Sequence, residues 1–408
     1  MKLRFIGYGL TTKAIANKFG GGFEFFDDKT TQKYIDENRN IIYPSKEYIA
    51  DKEYIDILTP SIPPNHPILL KSKRYLSEYD LFLGDNSPYS LKEKPFQIWI
   101  SGTNGKTTTT QMTTLLLKKR GAISGGNIGT PLANLDPKAP IWVLESSSFA
   151  LYHTKKAAPN IYILLPITPD HIRWHENFEN YKNAKLSPIA RMKEGELALI
   201  PKGLNPPKSS AWIVEYEGID DLASFFEIDP SKIDFKGAFL LDALLALSVT
   251  KTLFDEIDYN LINSFKPDRH RQEKIIDQLG RVWIDDSKAT NIDATIEALK
   301  TFKDKKMHII LGGDDKGANL TPLFEELKKY NLIIYAIGSN ATKIEELSKK
   351  YNLKAIKCNT LKKAVSIIKE SLTKDEIALL SPAAASLDQF KSYKERGEKF
   401  REFILKRE

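Results

Sequence analysis

Residues 102–108, Gly-Thr-Asn-Gly-Lys-Thr-Thr, constrain the fold of this chain more than any other segment. They follow an apolar run at residues 96–100 and precede a run with helical pattern at residues 106–120. A strand, a glycine-rich loop and a helix in this order form a phosphate cradle, because the loop N–H groups and the helix N-terminus point at the anion. Lys106 can reach the outer phosphates, and the Thr107 hydroxyl can ligate Mg²⁺. The segment predicts an ATP site made of Gly102, Thr103, Asn104, Gly105, Lys106, Thr107 and Thr108.

Length and composition narrow the class of protein. The 408 residues suffice for two or three domains, and a content of 41% hydrophobic and 28% charged residues is typical of a folded α/β protein. The net charge of +7 comes from lysines interleaved with acids, so we expect no basic surface for nucleic acid. Cys358 is the only cysteine, which excludes an internal disulfide and a cysteine-based zinc site.

Membrane segments are not expected in this sequence. No apolar run approaches the roughly 20 residues that a helix needs to cross a bilayer. The first residues are typical of a strand and lack the long apolar stretch of a signal peptide. We therefore expect no membrane contact and a cytoplasmic location.

Short apolar runs alternate with helical stretches along the chain, and this alternation predicts α/β domains with parallel sheets. We place the domain limits at residues 1–92, 93–265 and 266–408. The predicted strands and the last predicted helix lie, in order, at residues 3–6, 23–26, 55–58, 96–100, 141–144, 161–165, 282–284, 307–311, 332–337, 377–380 and 387–406.

Polar clusters follow the predicted strands of the central series, where α/β proteins bind ligands. Glu145 stands at a strand tip beside the glycine-rich loop and suits Mg²⁺, which prefers hard oxygen donors. His171 can ligate a metal or contact phosphate, although a single histidine more often packs or caps a helix. Asn127 can hydrogen-bond a substrate or simply belong to a loop. Lys185, taken alone, has the pattern of a solvated surface lysine.

Two further clusters belong to the third series. Asp286 and Lys288 end a predicted strand and, with Arg271, can grip a ribose and a γ-phosphate; a surface salt-bridge cluster is the alternative. Lys316 follows the next strand, and Ser386 stands just before the predicted last helix. These two groups can bind a small carboxylate at a helix start, or the alanine-rich segment can be a plain strand–helix junction.

The order of these clusters resembles that of the Mur ligases over essentially the whole chain. The glycine-rich loop is short, because Ile100 stands where the usual phosphate loop has its first glycine and Gly102 is the only earlier one. Mur ligases and folylpolyglutamate synthetases share this shortened form. Residues 286–291 (Asp-Ser-Lys-Ala-Thr-Asn) and 381–390 (Ser-Pro-Ala-Ala-Ala-Ser-Leu-Asp-Gln-Phe) are similar to the D-glutamate-adding branch of the family.

The resemblance implies three α/β domains: a Rossmann-like N-terminal domain that binds UDP, a central phosphate-loop ATPase domain with a parallel sheet, and a Rossmann-like C-terminal domain for the amino acid. It implies a ligase of peptidoglycan precursor synthesis that uses ATP and Mg²⁺ at two sites. The carboxylate of UDP-N-acetylmuramoyl-L-alanine would take the γ-phosphate, and the amine of D-glutamate would displace phosphate from the acyl phosphate. We expect the enzyme to be a monomer.

The resemblance also implies roles for single residues. Lys185 would be carbamylated, which turns a cation into a carboxylate-like metal ligand. The implied metal ligands are Thr107, Glu145, His171 and Lys185, and the implied catalytic groups are Lys106, Lys185, His171, Lys288 and Lys316. Arg271 and Asp286 would join the ATP site. The implied substrate contacts are Leu10, Thr11 and Asn127 for the UDP-sugar, and Thr290, Lys316, Ser386, Leu387 and Tyr393 for D-glutamate.

The sequence departs from the family pattern at a few positions. Ala238-Phe239 stands where relatives carry a His-Asn pair, and Asp242 replaces a second asparagine that faces the nucleotide. Asp28-Lys29 replaces a Thr-Arg-like uracil contact. We therefore expect adenine and uracil to be held in a different way here. The alternatives are another Mur-type or folylpolyglutamate synthetase-like ligase, and an ATP-binding scaffold without ligase activity.

Overall fold

The computed structural model describes residues 2–85 and 87–406. The chain divides into two compact units, one made of Met1–Phe235 and Phe239–Phe265, the other of Lys236–Ala238 and Lys266–Glu408. The described residues form three six-stranded sheets, two in the first unit and one in the second. The three-domain α/β architecture predicted from the sequence is therefore confirmed.

The first sheet has the strand order β3-β4-β2-β1-β5-β6 and is parallel except for the pair β3 and β4. Its strands are β1 Lys2–Ile6, β2 Glu24–Asp27, β3 Tyr34–Ile35, β4 Ile41–Pro44, β5 Tyr54–Leu58 and β6 Tyr75–Leu76. The helices are α1 Leu10–Lys18, α2 Pro67–Lys71 and α3 Glu78–Leu83. Every residue of α3 is buried, which suits a helix that packs between two sheets.

The central sheet has the order β12-β11-β10-β7-β9-β8 and is parallel throughout. Its strands are β7 Phe96–Ser101, β8 Ala122–Gly126, β9 Ile141–Glu145, β10 Ile161–Leu164, β11 Leu197–Pro201 and β12 Trp212–Tyr216. Its helices are α4 Lys106–Leu117, α5 Ser148–His153, α6 Ile172–His175, α7 Phe178–Leu186, α8 Ile219–Phe225, α9 Ala238–Phe254 and α10 Tyr259–Asn263. The parallel order brings the ends of β7, β9 and β10 to one edge, where the glycine-rich loop lies.

Helix α3 ties the first sheet to the central sheet through consecutive polar residues. The Ser77 hydroxyl lies 3.0 Å from that of Thr154, and the Tyr79 hydroxyl lies 3.0 Å from that of Ser146. The Asp80 carboxylate accepts three backbone N–H groups, from residues 155, 156 and 157. Because these groups are buried and paired, the link between the two sheets is specific as well as apolar.

The third sheet has the order β13-β14-β18-β15-β16-β17, with β13 antiparallel and the others parallel. Its strands are β13 Glu273–Ile276, β14 Val282–Asp285, β15 Met307–Gly312, β16 Leu332–Ile337, β17 Ala355–Asn359 and β18 Ile377–Leu380. Its helices are α11 Ile292–Thr301, α12 Thr321–Leu327, α13 Ala341–Lys350, α14 Leu361–Ser371 and α15 Tyr393–Leu405. Strands β14, β15 and β18 are adjacent, so their polar ends meet at one edge of the sheet.

The predicted last helix was wrong at its start. The helix α15 begins at Tyr393, six residues after the predicted position, because the Ser392 side chain caps it by accepting the Glu395 N–H. The residues before it form a loop that pairs with residue 314 through Ala385. The antiparallel strand β13 was missed, since it is short and its Lys274 and Ile276 are exposed.

None of the helices in the described ranges has both the length and the apolar character needed to cross a membrane.

Candidate active site

The glycine-rich loop leads from β7 into α4, and its turn requires glycine at two positions. Gly102 has φ 144°, and a Cβ there would lie 2.5 Å from Leu165 Cβ. Gly105 has φ 80° and caps α4, and a Cβ there would lie 2.5 Å from Asp242 Oδ1. Positive φ and close packing both favour glycine. Helix α4 therefore begins directly after this tight turn, and the N-terminus of a helix in such a place can bind an anion, as a phosphate cradle requires.

Two lysine side chains meet at one carbonyl of this loop. Lys106 Nζ donates to the Gly102 carbonyl at 3.0 Å and to that of Thr103 at 2.8 Å. Lys185 Nζ donates to the same Gly102 carbonyl at 2.7 Å and to Ser101 Oγ at 3.2 Å. The structure therefore brings together two residues that lie 79 positions apart in the sequence, since 185 minus 106 is 79.

Lys185 is buried, with 1% of its surface exposed, so the interpretation of a solvated lysine is wrong. Burial lowers the pKa of Lys185 well below its usual value, and the neighbouring Lys106 charge lowers it further. Asp170 and Glu145 oppose this shift. Two ammonium groups at one carbonyl repel each other, so the Lys106 charge and burial both disfavour the protonated form of Lys185.

Glu145 ends β9 beside the loop and is 2% exposed. Its Oε1 accepts a hydrogen bond from Asn127 Nδ2 at 2.7 Å, while its buried Oε2 accepts none from the described residues. A buried carboxylate oxygen without a partner is costly unless a ligand satisfies it. Glu145 therefore fits a divalent cation that prefers hard oxygens, and Asn127 orients it.

His171 caps α6 with φ 53°, and its side chain is 42% exposed. Its Nε2 lies 3.5 Å from the Asp170 carboxylate, and its ring lies 4.7 Å from the Phe149 ring, centroid to centroid. Asp170 also acts electrostatically on Lys185, so this acid belongs to the same cluster. The sequence interpretation gave Asp170 no role, although its place directly before His171, in the loop between β10 and α6, was a signal.

Asp242, which replaces a family asparagine, packs against the glycine-rich loop. It lies on α9, is 3% exposed, and its Oδ1 accepts a hydrogen bond from Thr109 Oγ1 at 2.9 Å. The carboxylate thus contacts the first turn of α4 and the Gly105 backbone. The Thr103 hydroxyl closes the other flank of the loop, since it donates to the Thr168 carbonyl at 3.0 Å.

A cleft of about 560 Å³ lies at the ends of β1, β2 and β5 in the first sheet, lined by Tyr8, Gly9, Asp27, Asp28, Thr59 and His66 among others. Leu10 and Thr11 follow Gly9 at the start of α1, and the Leu10 side chain is 64% exposed. Asp28 pairs with His66 at 3.0 Å. Burial acts to raise the pKa of Asp28, but hydrogen bonds from Ser45 and His66 outweigh it and hold the pKa below the usual value.

Asp286 follows β14 in the second unit and is 7% exposed. It accepts hydrogen bonds from Ser381 Oγ at 2.8 Å and from the Gln272 N–H at 3.3 Å. Burial raises the pKa of Asp286 to about 7, and the nearby Arg271 charge opposes the shift. The carboxyl group is therefore poised to change its charge near neutral pH, which is common at functional sites.

We expect Asp286→Asn to be more stable than the native protein at pH 8. The folded pKa near 7 lies above the usual value of 3.8 for an aspartic acid, so the native protein loses stability as the pH rises between these values. Asparagine does not titrate. The free energy of unfolding of the variant should therefore gain on that of the native protein by at most about 1.4 kcal/mol per pH unit in that interval, and the difference should then stay level. Chemical unfolding between pH 4 and pH 8 measures the difference, with Asp304→Asn as an exposed control. A difference that does not change with pH would contradict the buried-charge account.

Lys288 lies over the aromatic ring of Tyr393, with 4.1 Å between Nζ and the ring centroid. The loop that carries it is fixed from both ends, because the Lys288 N–H donates to the His270 carbonyl and the Thr290 N–H to the Lys288 carbonyl. Lys288, Thr290 and Tyr393 thus lie in one neighbourhood, although Tyr393 comes over 100 residues later.

Lys316 and Ser386 belong to two loops that the structure joins. Asp314 and Ala385 exchange two backbone hydrogen bonds, each of 2.9 Å. Gly313 permits this approach, since a Cβ there would lie 2.2 Å from the Ala385 carbonyl oxygen. Ser386 is 3% exposed, whereas Lys316 and Leu387 are exposed, Leu387 at 69%. A buried serine beside an exposed lysine and an exposed leucine suits a small polar ligand.

The chain has a phosphate loop on a parallel sheet, and beside it lies a buried carboxylate oxygen of Glu145 that lacks a partner among the described residues. Together with the two further α/β sheets, this site is typical of a nucleotide-dependent enzyme with three domains. Comparison with known proteins gives the class. A model of the Mur ligase middle domain matches residues 100–211, and a model of the Mur ligase glutamate ligase domain matches residues 270–384.

Relatives match the chain over its full length. UDP-N-acetylmuramoylalanine–D-glutamate ligase of Campylobacter jejuni subsp. jejuni serotype O:23/36 is 48% identical, with 100% of both chains covered. The Helicobacter pylori protein of the same name is 47% identical, again over 100% of both chains. The solved MurF ligase of Thermotoga maritima, in complex with ADP, shares the fold at a TM-score of 0.59 and 18% identity, over 99% of this chain and 97% of that one.

The chain belongs to the Mur ligase family, whose members are ATP-dependent ligases that form amide bonds. The family resemblance found in the sequence is thereby confirmed.

Proposed function

We propose that this protein joins D-glutamate to UDP-N-acetylmuramoyl-L-alanine with ATP, through an acyl phosphate, in peptidoglycan precursor synthesis. One observation carries the proposal: full-length identity of 47–48% to ligases that bear this name. The buried Ser386 beside the Lys316 loop supports it, because a hydroxyl and an ammonium group suit the carboxylates of an amino acid.

We propose that ATP lies on the glycine-rich loop. The N–H groups of residues 102–108 and Lys106 would hold the phosphates, and Arg271 and Asp286 the remainder of the nucleotide. Thr107, Glu145, His171 and Lys185 would hold Mg²⁺ at two sites, and the cation would neutralise charge on the transferred phosphoryl group. The orphaned Oε2 of Glu145 supports this assignment.

Lys185 is proposed to act as a carbamate. Its depressed pKa favours the neutral amine, which is the form that attacks carbon dioxide. A carbon–nitrogen bond forms, the nitrogen releases one proton, and the group changes from a neutral amine to an anionic carbamate. The anion attracts the neighbouring Lys106 ammonium group, and it supplies oxygen donors beside Glu145.

We propose Leu10, Thr11 and Asn127 as UDP-sugar contacts, and Thr290, Lys316, Ser386, Leu387 and Tyr393 as D-glutamate contacts. Lys288 would assist at the acyl phosphate, since its charge lies at the end of a buried strand. We also propose domain limits at residues 92 and 265, a monomeric state and a cytoplasmic location.

An amino-acid panel tests the function. Purified protein with ATP, Mg²⁺ and UDP-N-acetylmuramoyl-L-alanine should release phosphate with D-glutamate and not with L-glutamate, L-alanine, glycine or a dibasic amino acid. Omission of the UDP substrate should abolish release, which separates ligation from idle ATP hydrolysis. Phosphate release that requires another amino acid would overturn the proposal in favour of a different ligase. Release that needs neither co-substrate would contradict ligase activity.

A further inference from the structure

Arg396 is a fully buried arginine that no part of the proposed reaction uses. It lies on α15, is 1% exposed, and ranks among the largest fully buried side chains. No carboxylate of the described residues forms an ion pair with it, and burial lowers its pKa to about 10. The charges of Asp388, Asp285 and Asp286 act on it from a longer range. Such burial of a charge is expensive, and an apolar side chain would fill the space at lower cost.

The guanidinium group binds two loops at once. Its Nε donates to Ser287 Oγ at 3.0 Å and its Nη2 to the Ser287 carbonyl at 2.8 Å. On the other side, Nη1 and Nη2 both donate to the Ala384 carbonyl at 3.1 Å. Ser287 stands between Asp286 and Lys288, and Ala384 stands two residues before Ser386. The arginine thus holds the backbone of both loops that carry the proposed ligand groups of this unit.

Both hydrogen-bond donors of Ser287 are used within this unit. Its N–H donates to Asp285 Oδ1 at 3.0 Å, and its hydroxyl donates to the Tyr393 carbonyl at 2.8 Å while it accepts from Arg396. Tyr393 is the first residue of α15, and the Lys288 side chain lies over its ring. The Ser287 hydroxyl therefore connects the start of α15 to the loop of Asp286 and Lys288. Arg396 contacts the same loop one helical turn later.

Gly397, the residue after Arg396 on α15, lies against a third loop, that of His270. A Cβ at Gly397 would lie 2.1 Å from His270 Nδ1 and 2.8 Å from Asp285 Oδ2. His270 Nδ1 itself lies 2.7 Å from Asp285 Oδ2, and both side chains are buried. His270 directly precedes Arg271, which the proposed function assigns to the nucleotide. The close approach of α15 at Gly397 thus sets the position of this loop as well.

We propose that Arg396 is a positioning residue for the ligase reaction, whose planar guanidinium fixes the Asp286–Lys288 loop against the Ser386 loop. The role of these loops in binding rests on the proposed function. Five donors in a rigid fork can bridge two carbonyls and a hydroxyl, whereas a lysine ammonium is a point charge and cannot span them. Arg396 therefore does not touch the reacting atoms; it aligns the groups that do.

Arg396→Lys tests the proposal, because it keeps the charge and removes the fork. We expect the KM for D-glutamate to rise about tenfold, while the KM for the UDP substrate stays unchanged because that substrate binds in the other unit. A purely structural role would only lower the amount of folded enzyme, which reduces kcat and leaves every KM alone. Arg401→Lys is the matched control, since Arg401 lies on the same helix and pairs with Glu273. Unchanged KM values in Arg396→Lys would overturn the proposal.

Hydrogen exchange gives a readout that does not depend on the reaction. Amides at residues 285–291 and 381–390 should exchange faster together in Arg396→Lys, while those of β16 and β17 should not change. If the native protein turned out to use another amino acid, this exchange pattern would still test Arg396, so the two failures are distinguishable. Unaltered exchange in both loops would contradict the positioning role.

Gly397→Ala provides an independent variant. Alanine favours a helix more than glycine does, so a purely local view predicts a neutral or stabilising change. We expect instead that the methyl group displaces His270 and raises the KM for ATP several-fold, because Arg271 moves with it. Unchanged ATP kinetics in this variant would show that α15 does not position the His270 loop.

Discussion

Lys185→Ala should lower kcat by about 100- to 1,000-fold, the range seen when a preorganised charged group is removed. The buried amine shares the Gly102 carbonyl with Lys106 and has a depressed pKa, so alanine removes the proposed carbamate and leaves Glu145 without its neighbour. Added formate or acetate should restore part of the activity, because a short carboxylate fits the space left by the side chain and supplies oxygen donors. Steady-state kinetics with and without the acids measures both effects.

Lys182→Ala is the control for this variant, since Lys182 lies on the same helix α7 and forms a surface pair with Glu179. It should keep full activity and show no response to formate. The carbamate itself is testable without turnover, because native protein supplied with ¹³C-labelled bicarbonate should give one carbamate carbon signal that Lys185→Ala lacks. Full activity of Lys185→Ala, or the same signal in the variant, would rule out the role assigned to Lys185.

Lys316→Ala should raise the KM for D-glutamate by about 10- to 100-fold, with a much smaller effect on the KM for ATP. A charge-assisted hydrogen bond contributes roughly 1.5–3 kcal/mol, and about 1.4 kcal/mol corresponds to tenfold in affinity. The Lys316 loop lies against the loop of Ser386 through the paired backbones of Asp314 and Ala385. Initial-rate measurements with each substrate varied in turn separate the two effects.

Lys300→Ala is the matched change for Lys316→Ala. Lys300 is an exposed lysine of the same unit, and it pairs with Glu297 one helical turn away. Since this variant makes the same change in net charge, it should leave both KM values as they are. Equal increases for D-glutamate and ATP in Lys316→Ala would argue against a direct contact with the amino acid and for a general electrostatic effect.

Much of the fold was predictable from local patterns. The strand–loop–helix at residues 96–117 and the ten predicted strands follow from short apolar runs and from glycine at turns. The start of α15 was not predictable from hydrophobicity, because a serine cap and a loop contact decide it. The strand β13 gave only a short apolar signal, Ile275 and Ile276, and its pairing with β14 defines it as a strand.

The sequence by itself determined the class of site. The order of Gly102, Gly105 and Lys106 was enough to predict a phosphate site, because backbone geometry in such a loop depends on nearby residues only. The ligase activity was implied by the resemblance of the later clusters to those of the Mur ligases. The full-length similarity to Mur ligases confirms that class.

Only the tertiary structure decided what the single charged residues do. Lys185 has the local sequence of a surface lysine, yet it is buried and meets Lys106 at the Gly102 carbonyl. Arg396 has the local sequence of an ordinary helical arginine, yet it holds two loops from the interior. Burial, pKa and hydrogen-bond partners depend on groups that are distant along the chain and adjacent in space, so no local pattern contains them.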